Sequence, residues 1–179
     1  MSKPKTKVIT GKVRFSYAHV FEPFKMNEGD REKYGVSLII PKKDKKTIAK
    51  IKEAIEAALE EGKDKFGGKI PRNYKSPLRD GDEEREDDDV YANAYFVNAN
   101  SPRKPELVDA DRDPIMTKEE FYSGCYGRAS INFYAFNSNG NKGIACGLNN
   151  LQKLEDGESL GAQISSAEDD FADSDDDLS

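Results

Sequence analysis

Cys125-Tyr126-Gly127-Arg128-Ala129-Ser130-Ile131-Asn132-Phe133-Tyr134-Ala135-Phe136 is the stretch that decides the fold. Ala129, Ile131, Phe133 and Ala135 alternate with Arg128, Ser130, Asn132 and Tyr134. That period of two marks a strand with one face buried and the other in water. Asn137-Ser138-Asn139-Gly140-Asn141 follows, and its Asn-Gly pair is a strong hairpin signal. Lys142 to Leu148 then returns as the partner strand.

Working outward from this hairpin, the same alternation recurs. From Lys7 to Phe21, Val13, Phe15 and Tyr17 share one face, while Lys12, Arg14, Ser16 and Ala18 share the other. Lys33 to Ile40 reads as a strand with Val36, Leu38 and Ile40 inward, ended by Pro41. Val90 to Val97 is strand-like, and Tyr91, Asn93 and Tyr95 fall on one face. Leu107-Val108 is a short strand among prolines. A single helix interrupts the strands. Asp44 is its N-cap, Ile48, Ile51, Ile55 and Leu59 recur at helical spacing, and Gly62 ends it. Residues 66–89 are rich in glycine, proline and charge and read as a surface excursion. The expected architecture is mainly β: an OB-fold-like five-stranded barrel with one principal α-helix over residues 1–164. A disordered acidic tail, residues 165–179, follows it.

Composition supports a partly unpacked chain. Of 179 residues, 36% are hydrophobic and 35% charged, a low apolar share for a fully packed globule. The longest aliphatic run, Val36 to Ile40, is far shorter than the ~20 residues of a membrane helix. The basic start, Met1 to Lys7, has no apolar stretch behind it and is not a secretory signal. Two cysteines, Cys125 and Cys146, without a CxxC pair exclude a disulfide scaffold and a cysteine zinc site. They suit a reducing cytoplasm. One histidine, His19, excludes a multi-histidine metal site within one chain.

The net charge of −6 conceals four blocks. Residues 1–79 hold 20 bases and 10 acids, whereas residues 80–89 hold eight acids and Arg85. Residues 90–154 are nearly balanced, and residues 155–179 hold ten acids and no base. A basic body with a distinct acidic tail points toward a polyanionic partner.

The outward strand faces carry the chemistry. Lys12 and Arg14 lie on the first strand, Tyr91, Asn93 and Tyr95 on the third, and Arg128, Asn132 and Tyr134 on the fourth. Cations for phosphates beside flat rings for bases are what a nonspecific single-strand binder needs, each stack being worth roughly 1–3 kcal/mol. Arg72, Tyr74, Lys75 and Arg79, with Arg103 and Lys104, add basic loops around that face. In the tail, Asp169, Asp170, Asp173, Asp175, Asp176 and Asp177 imitate a polyanion able to occupy the same groove. Phe171 is an aromatic anchor for the groove or a partner.

Other motifs fail on inspection. Asp109, Asp111, Asp113 and Glu120 match EF-hand carboxylate spacing, but Pro114 stands where the sharp turn needs glycine. Gly67-Gly68-Lys69 is one residue out of phosphate-loop spacing, with Ile70 in place of Ser or Thr. No catalytic residue, metal or cofactor is expected.

Several blocks resemble a family of tailed-phage single-stranded DNA-binding proteins. They are Ser123 to Arg128, Asn132 to Phe136, Lys142 to Leu154 and Asp156-Gly157-Glu158. Ile40-Pro41-Lys42, Pro77 to Asp82 and Asn98-Ala99-Asn100-Ser101 agree with them. The resemblance spans about residues 8–164. It implies an OB fold, cooperative self-associating coating of single strands, no enzymatic activity, and work in the host bacterial cytoplasm. It also implies an acidic tail that tempers binding and recruits replication or recombination proteins. The chain departs from the wider class by ending Asp177-Leu178-Ser179, with Phe171 its only tail aromatic. Two rivals stay open: a metal-dependent nuclease using carboxylates of Asp80 to Asp89, and an adaptor acting through its acidic segments.

Overall fold

A computed structural model describes residues 6–25, 29 and 31–160. The proposed tail residues Asp169, Asp170, Phe171, Asp173, Asp175, Asp176 and Asp177 lie outside the described residues, as does the expected domain limit at 164.

The hairpin is the longest feature, strand β7 (Tyr126–Ser138) returning as β8 (Asn141–Glu155). Asn139 and Gly140 form its tip with φ of 52° and 86°. Two successive positive φ values define the turn whose twist matches the strands, and Asn-Gly tolerates both. The remaining strands are β1 (Lys7–Ile9), β2 (Val13–Phe24), β3 (Lys33–Pro41), β4 (Arg79–Asp80), β5 (Ala94–Ser101) and β6 (Glu106–Val108). The expected first strand is thus two, broken at Gly11.

Pairing runs β2-β3-β5-β8, and β7 joins both β8 and β2, so five strands close a ring. β1 adds to β7, β6 to β8 and β4 to β5. Closure explains why the strand interiors are so apolar. Phe15, Leu38, Val97, Ile131 and Phe133 meet inside it, each at most 1% exposed. Register fixes which face each residue takes. Leu38 pairs with Val97 inward, while Gly35 pairs with Asn100, Asn100 with Gly147, and Gly147 with Asn132 on the outward side.

Helix α1 (Lys45–Glu61) plugs the barrel through Ile48, Ile51, Ala54, Ile55, Ala58 and Leu59. The Asp44 carboxylate accepts from the Thr47 N–H at 3.2 Å, as the N-cap reading requires. At Gly62 the helix end meets β7 so closely that a Cβ would lie 2.1 Å from Cβ of Ala135. Cys125 and Cys146 are buried free thiols, and burial pushes both above the usual thiol range. Among the described residues no helix is long and apolar enough to cross a membrane.

The excursion is more structured than its composition suggests. It holds β4, a short helix α2 (Gly81–Glu84) and a 3-10 turn at Asp89–Tyr91. This segment folds onto the outer side of β3 and β5, where Ile39, Ala94 and Phe96 form a second apolar cluster with Tyr91.

Candidate nucleic-acid interface

Strand β2 contains the device that shapes the outer face. Ser16 pairs with Ser37 and His19 with Gly35, so three steps on β2 span two on β3. That extra residue is a β-bulge, and Tyr17 within it has φ of 48°. A tyrosine in the left-handed region is strained, and such strain persists where the surroundings enforce it. The bulge reverses the alternation read for Tyr17 and Ala18 and turns His19 outward, across from Gly35.

Three adjoining concavities follow from this arrangement. One, of about 420 Å³, is lined by Tyr17, His19, Phe24, Lys33, Gly35, Ser37, Arg85, Asn98 and Asn100. The next, about 470 Å³, shares Lys33, Asn98 and Asn100 and adds Arg31, Glu32, Ser76, Pro77, Arg79, Pro102, Ala145 and Tyr134. The third, about 520 Å³, shares Tyr134 and adds Lys65, Phe136 and Asn137. Together they form a trough crossing β2, β3, β5, β8 and β7. Among the described residues its charged lining is Arg31, Lys33, Lys65, Arg79 and Arg85 against one acid, Glu32. Gly35 and Gly147 flank Asn100 on the neighbouring strands and leave the trough floor low.

Of the fourteen residues the sequence pointed to, two line this trough. Tyr134 projects from β7 at 47% exposure. Arg79 lies at its rim, 2.7 Å from the Glu84 carboxylate and with its guanidinium 5.8 Å over the Phe96 ring. The others are placed elsewhere. Lys12 pairs with Glu155 at 2.7 Å, and Arg14 donates to the carbonyls of Gly124 and Glu158 at 3.1 and 2.7 Å. Both lie over the Tyr126 ring; Lys12 ties the chain just before β2 to the end of β8, and Arg14 ties β2 to the chain beyond β8. Arg128 donates to the Thr10 carbonyl at 3.0 Å, and Asn132 accepts from the Thr6 hydroxyl at 3.1 Å. Tyr74 packs half-buried on the main core, and Lys75 bridges to Gly143 through its backbone. Arg72, Arg103 and Lys104 are exposed, with Lys104 lying 5.5 Å over Phe21.

The shared face of Tyr91, Asn93 and Tyr95 needs correction. Tyr91 and Asn93 precede β5, Tyr91 is 0% exposed, and its hydroxyl donates to Ser37 Oγ at 3.3 Å. Asn93 is exposed at a positive φ, with its N–H bound by Asp82. Tyr95 shares the inward parity of Val97 and Ala99 and packs half-buried on the core, under Lys42 at 5.3 Å. The strand starts four residues later than read and ends four later, so its outward residues are Ala94, Phe96, Asn98 and Asn100. Asn98 and Asn100 carried the signal, alternating with Val97, Ala99 and Ser101. Lys33 was likewise legible, opposite in parity to Val36 and Leu38. His19, Phe24 and Arg85 depend on the bulge and the excursion, and no sequence pattern marks them.

Electrostatics hold the excursion in place. Lys42 reaches Asp80 at 2.9 Å and Asp82 at 2.8 Å. Those hydrogen bonds hold the Lys42 ammonium above the usual lysine range and the Asp82 carboxyl below the usual carboxylate range. Arg85 caps the outer cluster, 5.6 Å over Tyr91 and 5.3 Å over Phe96. The acidic loop after β6 brings Asp109, Asp111 and Asp113 within 4.8 Å of one another, with Asp109 accepting from the N–H groups of the other two. None of the three lines the trough.

A family model described as Enterobacter phage Enc34, ssDNA-binding protein, matches residues 6–179. Putative protein p50 of Acyrthosiphon pisum secondary endosymbiont phage 1 is 31% identical over 173 residues, 90% of this chain and 91% of that protein. The fold is shared with the single-stranded DNA-binding protein from bacteriophage Enc34 in complex with ssDNA. There the TM-score is 0.77 at 24% identity, covering 90% of this chain and 96% of the other. It is shared more distantly with gp2.5, a single-stranded DNA-binding protein encoded by bacteriophage T7, at TM-score 0.61, 16% identity and 94% coverage of both chains. With a family match that runs from the first described strand to the last residue, this chain belongs to the Enc34 ssDNA-binding protein family.

Proposed function

We infer that the chain is a sequence-nonspecific single-stranded DNA-binding protein that coats and protects strands in phage DNA replication or recombination. The observation that carries this reading is the basic trough across five strands, with Tyr134 displayed in it. Arg31, Lys33, Lys65 and Arg79 supply phosphate contacts, and Tyr134 supplies a base stack. Lys75 and Arg103 are chain neighbours of the lining residues Ser76 and Pro102, and the same reading assigns them to the phosphate track. Family membership and the Enc34 protein solved with ssDNA support the same ligand.

Two finer readings belong to this proposal. The acidic tail competes with DNA for the trough and engages replication or recombination proteins, with Asp169 to Asp177 as the competing charge. The protein acts as a binder without enzymatic activity in the host cytoplasm. Against the nuclease alternative, Asp80 and Asp82 are paired with Lys42 and Glu84 with Arg79, which engages three of the eight carboxylates of Asp80 to Asp89.

Titrating a fluorescent dT oligonucleotide across a salt series, with magnesium present, tests the reading. Binding should weaken with a logarithmic slope of about −0.7 per phosphate contact, and the oligonucleotide should stay intact. A flat salt dependence would refute it.

A further inference from the structure

The end of the trough at β2 and β3 differs from the end at Tyr134. His19 and Phe24 stack there with ring centroids 4.2 Å apart and planes 23° from parallel. Both are half-buried, and the imidazole has no hydrogen-bond partner among the described residues. Opposite them stand Asn98 and Asn100, whose side-chain amides are also without a partner among the described residues. Lys33 and Arg85 line the same 420 Å³ concavity, and neither forms an ion pair with a described residue. That volume lies within the roughly 300–1,000 Å³ of small-ligand sites.

We propose that this concavity is a nucleobase pocket that holds one base of the bound strand between the His19–Phe24 rings and the Asn98 and Asn100 amides. The proposal rests on the single-strand binding reading and names how one part of that surface would be used. The chemistry of the walls selects the ligand. Flat rings offer a stacking surface that accepts any base. A primary amide offers both a donor pair and an acceptor, so it can meet the edge of each base by rotating. Two amides without a partner among the described residues, beside two stacked rings, therefore hold a base without selecting its identity. Lys33 and Arg85 are placed for the flanking phosphates. The geometry is fixed by the bulge at Tyr17, which turns His19 outward, and by Gly35. A Cβ at Gly35 would lie 2.3 Å from Asn100 Oδ1 and 3.2 Å from the Phe24 ring, so the ring and the amide already fill its space. Burial lowers the basicity of His19, which keeps the ring uncharged near neutral pH and suited to stacking.

The test uses the full chain and a set of dT oligonucleotides carrying a single 2-aminopurine at successive positions. One position should show a marked fluorescence change on binding. Phe24→Leu keeps an apolar side chain but removes the flat ring, and Asn98→Ala removes an exposed amide. Phe24→Leu should weaken binding by roughly 5- to 150-fold, the equivalent of one stack, and both variants should reduce the fluorescence change at that position. An abasic site there should weaken wild type and leave Phe24→Leu nearly unaffected, which a merely structural role for Phe24 would not produce. Wild-type affinity and fluorescence in both variants would overturn the pocket while leaving strand binding intact. Failure of wild type to bind any oligonucleotide would overturn both readings. Competition by millimolar thymidine monophosphate as effective as that by the strand would assign the pocket to free nucleotides instead and refute the proposal.

Discussion

Strands β3 and β5 present two halves of one outward surface, and the halves have opposite fates. In one half Ile39, Ala94 and Phe96 face out, and the excursion covers them with Tyr91 and Arg85 until each of the three is at most 4% exposed. In the other half Asn98 and Asn100 face out beside Gly35 and line the trough, Asn98 exposed and Asn100 half-buried. The strands are continuous and the pleat is the same. What changes is the side chain at each outward position. Apolar outward residues gain about 25 cal/mol per Å² when the chain folds back over them. Free amides and glycines gain nothing comparable from a cap, so that half remains available to a ligand. The binding surface is thus defined as much by where the excursion stops as by the barrel.

Exchanging the chemistry of the halves gives the largest expected effect. Phe96→Ala should remove about 3–5 kcal/mol of stability, because its ring is packed against Tyr91 at a centroid distance of 5.1 Å. Asn98→Ala, two residues along the same face, should change stability by less than ~0.5 kcal/mol. Urea denaturation of both variants measures the contrast, and equal losses would mean that the two halves do not differ as described. Next come the trough cations. Lys33→Ala should reduce the salt slope of oligonucleotide binding by about 0.7. Lys12→Ala, outside the trough, should leave the slope unchanged.

The barrel was legible because each strand turns one face into the core, and there apolar residues recur at every second position. β3, β7, β8 and the helix follow Val36, Leu38, Ile131, Phe133, Ile51 and Ile55 in the sequence. The face assignment was legible only where a strand's limits were. At β5, apolar outward residues under the excursion imitate an inward row, so Tyr91 and Tyr95 read as the displayed face. Periodicity cannot distinguish a face buried in a barrel from one buried under a loop. The bulge at Tyr17 is a second such point, since one extra residue inverts parity and composition does not announce it. Of the rim cations supplied by the excursion, Arg79 was legible as a basic loop residue, whereas Arg85 stands among the acids of residues 80–89 and its place over Tyr91 and Phe96 depends on tertiary folding.

Between the halves sits the Arg79–Glu84 ion pair, at the edge of both cap and trough. Glu84 neutralises a cation that the reading above assigns to phosphate. Glu84→Gln should therefore strengthen oligonucleotide binding by about 2- to 5-fold, matching the ~0.5–1 kcal/mol of an exposed pair. Fluorescence anisotropy at fixed salt reads this, and weaker binding would show that Glu84 instead positions Arg79. On the capped side, Tyr91→Phe deletes the hydrogen bond to Ser37 and should cost about 0.5–1.5 kcal/mol in denaturation, without changing DNA affinity.

The smallest expected effect separates the halves by pH. His19, in the open half, is the chain's one histidine, and burial holds its pKa below 6.5. A base with a depressed folded pKa takes up its proton more readily when unfolded. Its stabilising contribution is complete above about pH 6.5 and declines as pH falls from there to the folded value. Lys33 and Arg85, lining the same concavity, present further positive charge to the ring, while Tyr17, Phe24, Ser37, Asn98 and Asn100 carry none that compensates. Asp82 beside Lys42, on the capped side, is held below 3.8 and titrates in a separate, more acidic range. The melting temperature should therefore drop slightly between pH 7 and pH 5.5 in wild type and hold steady in His19→Gln. An identical drop in both proteins would place the titrating group outside the trough.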